Sequence, residues 1–208
     1  MSQPAILLDR DGVINVNRPD HVKSWNEFRF VPGALTALAA LSRLRLPMVV
    51  ISNQAVVQRG IISEAELDAI HQRMMDAIQR AGARLDRIFY CPHDQSEGCG
   101  CRKPEPGMIL EAASELDLDL SRSVFVGDAC TDIQAGERAR CKTVLVLTGR
   151  GHESMQVIEN NPSIVPHAVA ADLLRAVPIV RGLLDNRIPT SSAFTSDTMP
   201  VAISAAMD

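Results

Sequence analysis

Short apolar runs alternate with longer amphipathic segments along most of the chain. Runs rich in β-branched, aliphatic and aromatic residues predict five buried strands, at residues 6–8, 47–51, 87–90, 124–127 and 143–147. Leucines at helical spacing and a Ser-x-x-Glu capping box are among the patterns that predict helices, at residues 34–44, 64–81, 106–116, 131–139, 153–160 and 172–184. Strands that alternate with helices are typical of a parallel sheet with helices on both faces.

The pattern therefore predicts an α/β fold, a three-layer, Rossmann-like, doubly wound parallel sheet. A weaker apolar run at residues 168–169 predicts a sixth strand at one edge. Residues 1–185 are predicted to form a single domain, because no second domain or internal repeat is visible in them. Residues 186–208 are rich in Ser, Thr and Pro without periodicity, so we expect a disordered tail there.

Composition and charge narrow the functional classes. The 208 residues are 46% hydrophobic and 22% charged, as in an ordinary soluble globular protein. The formal net charge of −4 argues against a broad nucleic-acid-binding face, but it permits a local basic pocket for a small anionic substrate. The sequence has neither an apolar run of about 18 residues nor the pattern of a secretory leader, so we expect a cytoplasmic protein without a membrane span.

Polar residues follow four of the predicted strands, and the carboxyl ends of parallel strands meet at one edge of a sheet. These residues are Asp9 and Asp11, Ser52 and Asn53, Arg102 and Lys103, and Asp128 and Asp132. Two carboxylates at i and i+2 suit a divalent cation, or a nucleophile beside a general acid/base; the plainer alternative is a solvated acidic turn. With a hydroxyl and two cations nearby, the set is suited to handling a phosphoryl group.

Three of the five cysteines lie close to one histidine in the sequence. Cys91 and His93 are separated by one residue, and so are Cys99 and Cys101. This clustering favours a metal over disulfides, and three thiolates with an imidazole complete a tetrahedral Zn²⁺ site that has no open position. Such a site is structural, and it would fix the loop that contains it. The alternative is four unrelated residues in a flexible loop.

Four motifs resemble those of the haloacid dehalogenase superfamily of phosphatases, in the same order. They are Asp9-Arg10-Asp11-Gly12, Ser52-Asn53-Gln54, Arg102-Lys103-Pro104, and Gly127-Asp128 with Asp132. The resemblance implies that Asp9 is a nucleophile that forms an aspartyl-phosphate, with Asp11 as general acid and base. It also implies a Mg²⁺ site made by Asp9, Asp128 and the backbone carbonyl of Asp11. The phosphate-binding side chains would be Ser52, Asn53 and Lys103.

Within that superfamily, the zinc loop before Cys-Arg-Lys-Pro resembles that of the D-glycero-D-manno-heptose 1,7-bisphosphate 7-phosphatases and the related histidinol phosphatases. These lack a large cap domain, and no segment between the first three strands is long enough here to form one. The resemblance implies a monomer that acts on a small sugar phosphate, with Arg59 and Arg102 as candidates to bind the phosphate that is not cleaved. Two departures, Ala55-Val56 for Ser-Gly and Ala129 for the usual lysine, leave the exact substrate open.

Three alternatives remain. A histidinol phosphatase would need an acidic recognition group in place of the two arginines. Nucleic-acid 3′-phosphatases of the same superfamily have a similar second motif, but they should present a basic strand-binding surface. A zinc-stabilised binding protein that has lost activity would share the fold, although the intact acidic motifs argue against it. His71, inside the long helix, is expected to have a structural or solvated role.

Overall fold

The computed structural model describes residues 2–186, which fold around one open sheet of six parallel strands. The strands are β1 (Ile6–Leu8), β2 (Met48–Asn53), β3 (Arg87–Cys91), β4 (Val124–Gly127), β5 (Lys142–Val146) and β6 (Ala168–Ala170). Their order across the sheet is β3-β2-β1-β4-β5-β6. The chain progresses in one direction from β1 to β3 and in the other from β4 to β6, so a crevice forms at the carboxyl ends of β1 and β4.

In the described part of the chain, six α-helices cover the two faces of this sheet. They are α1 (Ala34–Ser42), α2 (Glu64–Arg80), α3 (Gly107–Leu116), α4 (Cys130–Arg138), α5 (Gly151–Glu159) and α6 (Leu173–Leu184). α1, α2 and α6 pack on one face, and α3 and α4 on the other, where α5 packs beside β5. The predicted three-layer sheet is therefore confirmed.

The central strands are mostly apolar because both faces of the sheet are buried there. Successive side chains of a strand point to opposite faces. In β1, Ile6 and Leu8 share a core with residues of α1, α2 and α6, whereas Leu7 shares a core with residues of α3. All three side chains are fully buried. Burial in both layers explains why the sequence shows continuous apolar runs instead of alternation.

β2 is longer than predicted, and the difference matters for the site. The sequence predicts that β2 stops at residue 51, before the polar residues. The strand instead continues through Ser52 and Asn53, which remain paired with Tyr90 and Cys91 of β3. The extension holds both polar side chains on rigid backbone at the edge of the crevice.

The remaining predictions concern the C-terminal tail, the number of domains and the absence of a membrane span. The predicted tail lies outside the described residues, except for Asn186. The assignment of residues 1–185 to one domain stays a prediction. Among the described residues, no helix has both the length and the apolar character needed to cross a bilayer.

Candidate active site

The carboxyl ends of β1, β2 and β4 open into a cavity of about 210 Å³. Its lining includes residues from all four motifs, among them Asp9, Asp11, Ser52, Lys103 and Asp128. These residues are far apart in sequence and meet because β1 lies between β2 and β4 in the sheet. The sequence predicted a ligand site at this edge, and the structure brings the predicted side chains together there.

Lys103 is a buried cation held between two carboxylates. Its Nζ lies 2.8 Å from Asp9 Oδ1 and 2.6 Å from Asp132 Oδ1, and it donates to the backbone oxygen of Ile51 at 2.8 Å. Burial alone would lower the pKa of Lys103, but the charges of Asp132 and Asp9 raise it above its ordinary value. Lys103 is therefore a fixed positive charge, with all three ammonium protons directed at acceptors.

The acids outnumber this cation. One carboxylate oxygen each from Asp9, Asp128 and Asp132 lies within 4.8 Å of the others, and all three residues are buried. Burial raises the pKa of Asp9 to about 7 and that of Asp128 to about 8; neighbouring carboxylates add to both shifts, and Lys103 opposes them. A single lysine does not balance three carboxylates, and the cluster offers oxygen ligands, so its chemistry fits a hard divalent cation such as Mg²⁺. The carboxylate of Asp11 is not part of this group.

Two glycines let the backbone close tightly around Asp128. Gly12 and Gly149 have positive φ values of 88° and 57°. A Cβ on Gly12 would lie 1.9 Å from Asp128 Oδ2, and a Cβ on Gly149 would lie 2.1 Å from it. Both distances are far shorter than a van der Waals contact. The same oxygen accepts a hydrogen bond of 2.7 Å from the backbone N–H of Arg150. Only glycine permits this approach, so the orientation of Asp128 is set by the backbone.

Asp11 is held by four side-chain hydrogen bonds. Its Oδ2 accepts from Arg10 Nε at 3.0 Å, Arg10 Nη2 at 2.8 Å and Gln54 Nε2 at 2.9 Å, and its Oδ1 accepts from Asn15 Nδ2 at 2.8 Å. Burial alone would raise the pKa of Asp11, but the charge of Arg10 and these hydrogen bonds outweigh burial and lower it. In this state of the site Asp11 is an ionised, oriented carboxylate.

Ser52 and Asn53 have different surroundings at the end of β2. The hydroxyl oxygen of Ser52 accepts from Gln54 Nε2 at 2.8 Å, which leaves its own proton available for a ligand in the cavity. Asn53 instead binds the backbone of Lys103 in both directions, with Nδ2 donating to the carbonyl and Oδ1 accepting from the N–H, each at 3.1 Å. Its amide therefore fixes the position of Lys103.

The four predicted zinc ligands converge. Cys101 Sγ lies 3.1 Å from Cys91 Sγ, 3.4 Å from Cys99 Sγ and 3.2 Å from His93 Nδ1. A tetrahedral zinc ion with bonds of about 2.3 Å needs ligand separations of about 3.8 Å, so small outward shifts would admit the ion. The loop is tied to the cavity, because Arg102 Nη1 donates to the backbone oxygen of His93 at 3.0 Å. The cluster is thus suited to zinc and is connected to the motif that contains Lys103.

Two arginines were predicted to bind a second phosphate, and both line the cavity. Arg59 forms an ion pair with Asp94 across the surface, and 43% of its side chain is exposed. Arg102 has no acidic partner among the described ion pairs. Arg18 and Arg150 also line the cavity, although sequence reasoning singled out neither.

Curated relatives resemble this chain over most of their length. A D-glycero-beta-D-manno-heptose-1,7-bisphosphate 7-phosphatase from Pseudomonas aeruginosa is 39% identical over 151 residues, which are 73% of this chain and 85% of the relative. The protein of the same name from Bordetella bronchiseptica is 42% identical over 150 residues, 72% of this chain and 84% of that one. The chain belongs to this phosphatase family of the haloacid dehalogenase superfamily.

A family model and a solved structure agree with this membership. The HAD-hydrolase-like model matches residues 100–176. The crystal structure of D,D-heptose 1,7-bisphosphate phosphatase from B. bronchiseptica, complexed with magnesium and phosphate, superimposes with a TM-score of 0.79 at 37% identity, covering 88% of this chain and 99% of that one. The resemblance inferred from the four motifs is therefore confirmed.

Sequence reasoning missed part of the site of this superfamily member. Asp132 was placed in the fourth motif without a role, yet it is one of the two carboxylates that hold Lys103. Arg10, Asn15 and Gln54 were not assigned, although they hold Asp11. Their polar character next to strand ends was the only available signal, because each contact depends on how the loops fold.

Proposed function

We propose that the protein hydrolyses the 7-phosphate of D-glycero-D-manno-heptose 1,7-bisphosphate. The relatives named above support this substrate, and the buried Asp9–Lys103–Asp132 arrangement beside Asp128 is the observation on which the chemistry rests. The cavity is lined by arginines, as expected for a substrate with two phosphates. None of the five cysteines is in a disulfide, which supports a reducing, cytoplasmic location.

The reaction proceeds in two displacements at phosphorus. In the first, an oxygen of Asp9 bonds to phosphorus while the bond from phosphorus to the sugar oxygen breaks. The sugar oxygen takes a proton from Asp11 as it leaves. In the second, water attacks the same phosphorus and gives a proton to Asp11, while the bond to Asp9 breaks and inorganic phosphate leaves. Lys103 holds Asp9 in one orientation throughout, because Asp132 and the Ile51 carbonyl fix its ammonium group.

Magnesium would be held by Asp9 and Asp128, with the backbone carbonyl of Asp11 as a further ligand. The bound cation would supply positive charge that reduces repulsion between the phosphate and the anionic nucleophile. The fit rests on the three clustered acids, which a single lysine does not balance.

The proton that Asp11 delivers is located on a particular atom. Three N–H groups occupy Oδ2, whereas Oδ1 has one donor, so the proton belongs on Oδ1. A bound phosphate places negative charge near Asp11, and a like charge raises the pKa of a carboxyl. Substrate binding therefore favours the protonated form that the first step needs.

The arginines around the cavity are assigned to bind the phosphate that is not cleaved. Ser52 is assigned to bind the phosphate that is transferred. Arg102 is the principal candidate, because Arg59 is engaged by Asp94 and Ala129 supplies no charge.

We also propose a structural zinc ion on the cysteine cluster and a monomeric enzyme. The large apolar side chains exposed in the described part are scattered over separate loops and helices, as is normal for a monomer.

Phosphate release with Mg²⁺ from three substrates, compared side by side, tests this function. They are heptose 1,7-bisphosphate in both anomers, histidinol phosphate, and a 3′-phosphorylated oligonucleotide. We expect the bisphosphate to be preferred by about 100-fold or more in kcat/KM, roughly 3 kcal/mol of differential transition-state binding. Preference for another substrate would replace the assignment. Absence of release from any of them would favour the inactive binding protein.

A further inference from the structure

A histidine outside the proposed mechanism contacts it through a buried arginine. Arg10 is 1% exposed, although it lies beside the cavity. Two nitrogens of its guanidinium, Nε and Nη2, bind Asp11 Oδ2, and the remaining nitrogen, Nη1, lies 3.1 Å from His71 Nε2. His71 belongs to α2 and is itself buried. The planar guanidinium thus spans from the helix to the carboxylate.

The chemistry of this contact fixes the state of His71. A guanidinium only donates hydrogen bonds, so Nε2 of His71 must accept, and the ring proton must be on Nδ1. A protonated ring would place two cations in direct contact. Burial, reinforced by the charge of Arg10, lowers the pKa of His71 to about 3. His71 is therefore a neutral acceptor throughout the neutral pH range.

The arginine also determines how Asp11 presents its two oxygens. Because Arg10 supplies two of the three donors on Oδ2, it leaves Oδ1 as the oxygen that can take and release a proton. If the guanidinium rotated, this difference between the oxygens would be lost. A partner at Nη1 prevents the rotation, since it holds the end of the guanidinium that is farthest from Asp11.

We propose that His71 is a positioning residue for acid catalysis, which acts by holding Arg10 so that Asp11 presents Oδ1 to the leaving group. The inference rests on the proposed function of Asp11. Packing alone would be the other explanation, since the ring lies 5.5 Å from that of Tyr90. Packing, however, does not require an acceptor at Nε2, and this difference can be tested.

The test compares two leaving groups in single-turnover measurements of the first chemical step. A sugar alkoxide needs a proton from Asp11 to leave, whereas p-nitrophenolate does not. His71→Leu removes the acceptor and should slow the sugar phosphate by about 10- to 100-fold, while p-nitrophenyl phosphate changes by less than about threefold. His71→Gln retains an acceptor near Nε2 and should restore the sugar phosphate rate to within about threefold of the unmodified enzyme.

Two further variants make the result decisive. Asp11→Asn is the reference for loss of the acid and should show the same selectivity for leaving group more strongly. If Asp11→Asn shows no selectivity for leaving group, the proposed role of Asp11 fails. If Asp11→Asn shows this selectivity and His71→Leu does not, only the role of His71 fails. Equal losses on both substrates, or equal effects of Leu and Gln, would mean packing alone. If His71→Leu does not fold, His71→Phe takes its place, because it keeps a ring in the buried site but offers no acceptor to Arg10.

Discussion

Magnesium binding to the acidic cluster should release protons, so its strength should depend steeply on pH. The carboxyls involved are Asp9, with a pKa of about 7, and Asp128, with a pKa of about 8, both raised chiefly by burial. The cation binds their ionised forms, so affinity rises as the pH passes through both values. Groups with these pKa values together hold about one proton at about pH 7.5 and almost none at about pH 9.

The size of the effect follows from the same two values. Asp9 and Asp128 interact, so the two values describe the successive proton losses of the pair. With these values the apparent dissociation constant for Mg²⁺ should fall about 20-fold between about pH 7 and about pH 9. Calorimetric titration in two buffers with different ionisation enthalpies counts the protons released at each pH. We expect about one proton per Mg²⁺ at about pH 7.5, decreasing toward zero at the upper limit.

Asp9→Asn is the matched control for this titration. It removes one of the two groups and also lowers the pKa of Asp128, which is raised in part by the charge of Asp9. Proton release at about pH 7.5 should therefore fall below about half a proton. An unmodified protein that binds Mg²⁺ equally well at both ends of the pH range, without releasing protons, would refute the reasoning.

Three other predictions test separate parts of the site. Lys103→Met should lower kcat about 10²- to 10³-fold in phosphate-release assays, because it removes a fixed charge from Asp9; a loss below about tenfold would contradict that role. Arg102→Ala should raise KM for the bisphosphate about tenfold and leave KM for a monophosphate ester unchanged. Arg59→Ala should raise KM for the bisphosphate less, because Arg59 is paired with Asp94. Equal increases in the two variants would contradict the assignment. Cys99→Ser should reduce zinc content, thermal midpoint and kcat, and Cys130→Ser, outside the cluster, should retain zinc; an unchanged midpoint after zinc loss would exclude a structural ion.

The sequence predicted the architecture because the buried strands are visible as continuous apolar runs. Runs such as Ile6–Leu8 are buried on both faces, so their hydrophobicity has no other explanation, and the chain order of strands and helices then limits the topology. The same logic located the site, since polar residues after buried strands must lie at the carboxyl edge. Asp9, Lys103 and Asp128 meet there for that reason.

What the sequence did not predict depends on contacts between loops and side chains. His71 looks like an ordinary residue of an amphipathic helix, and only the folded chain brings its ring to Arg10. The role of Asn53 in phosphate binding stays a prediction, whereas the two hydrogen bonds of its amide to the backbone of Lys103 could not be predicted from its position. Arg59 likewise has an acidic partner, Asp94, which lies 35 residues away in sequence. Spacing along the chain contains no information about these pairings.

The aspartyl-phosphate at Asp9 is the central claim, and trapping it is the most direct test. Enzyme mixed with the bisphosphate and Mg²⁺ is quenched in acid during turnover and treated with borohydride, which reduces an acyl phosphate to the corresponding alcohol. Mass spectrometry then identifies the modified residue. We expect homoserine at position 9 in the unmodified enzyme, and neither modification nor turnover in Asp9→Asn. Modification at another residue, or turnover that persists in Asp9→Asn, would contradict the account.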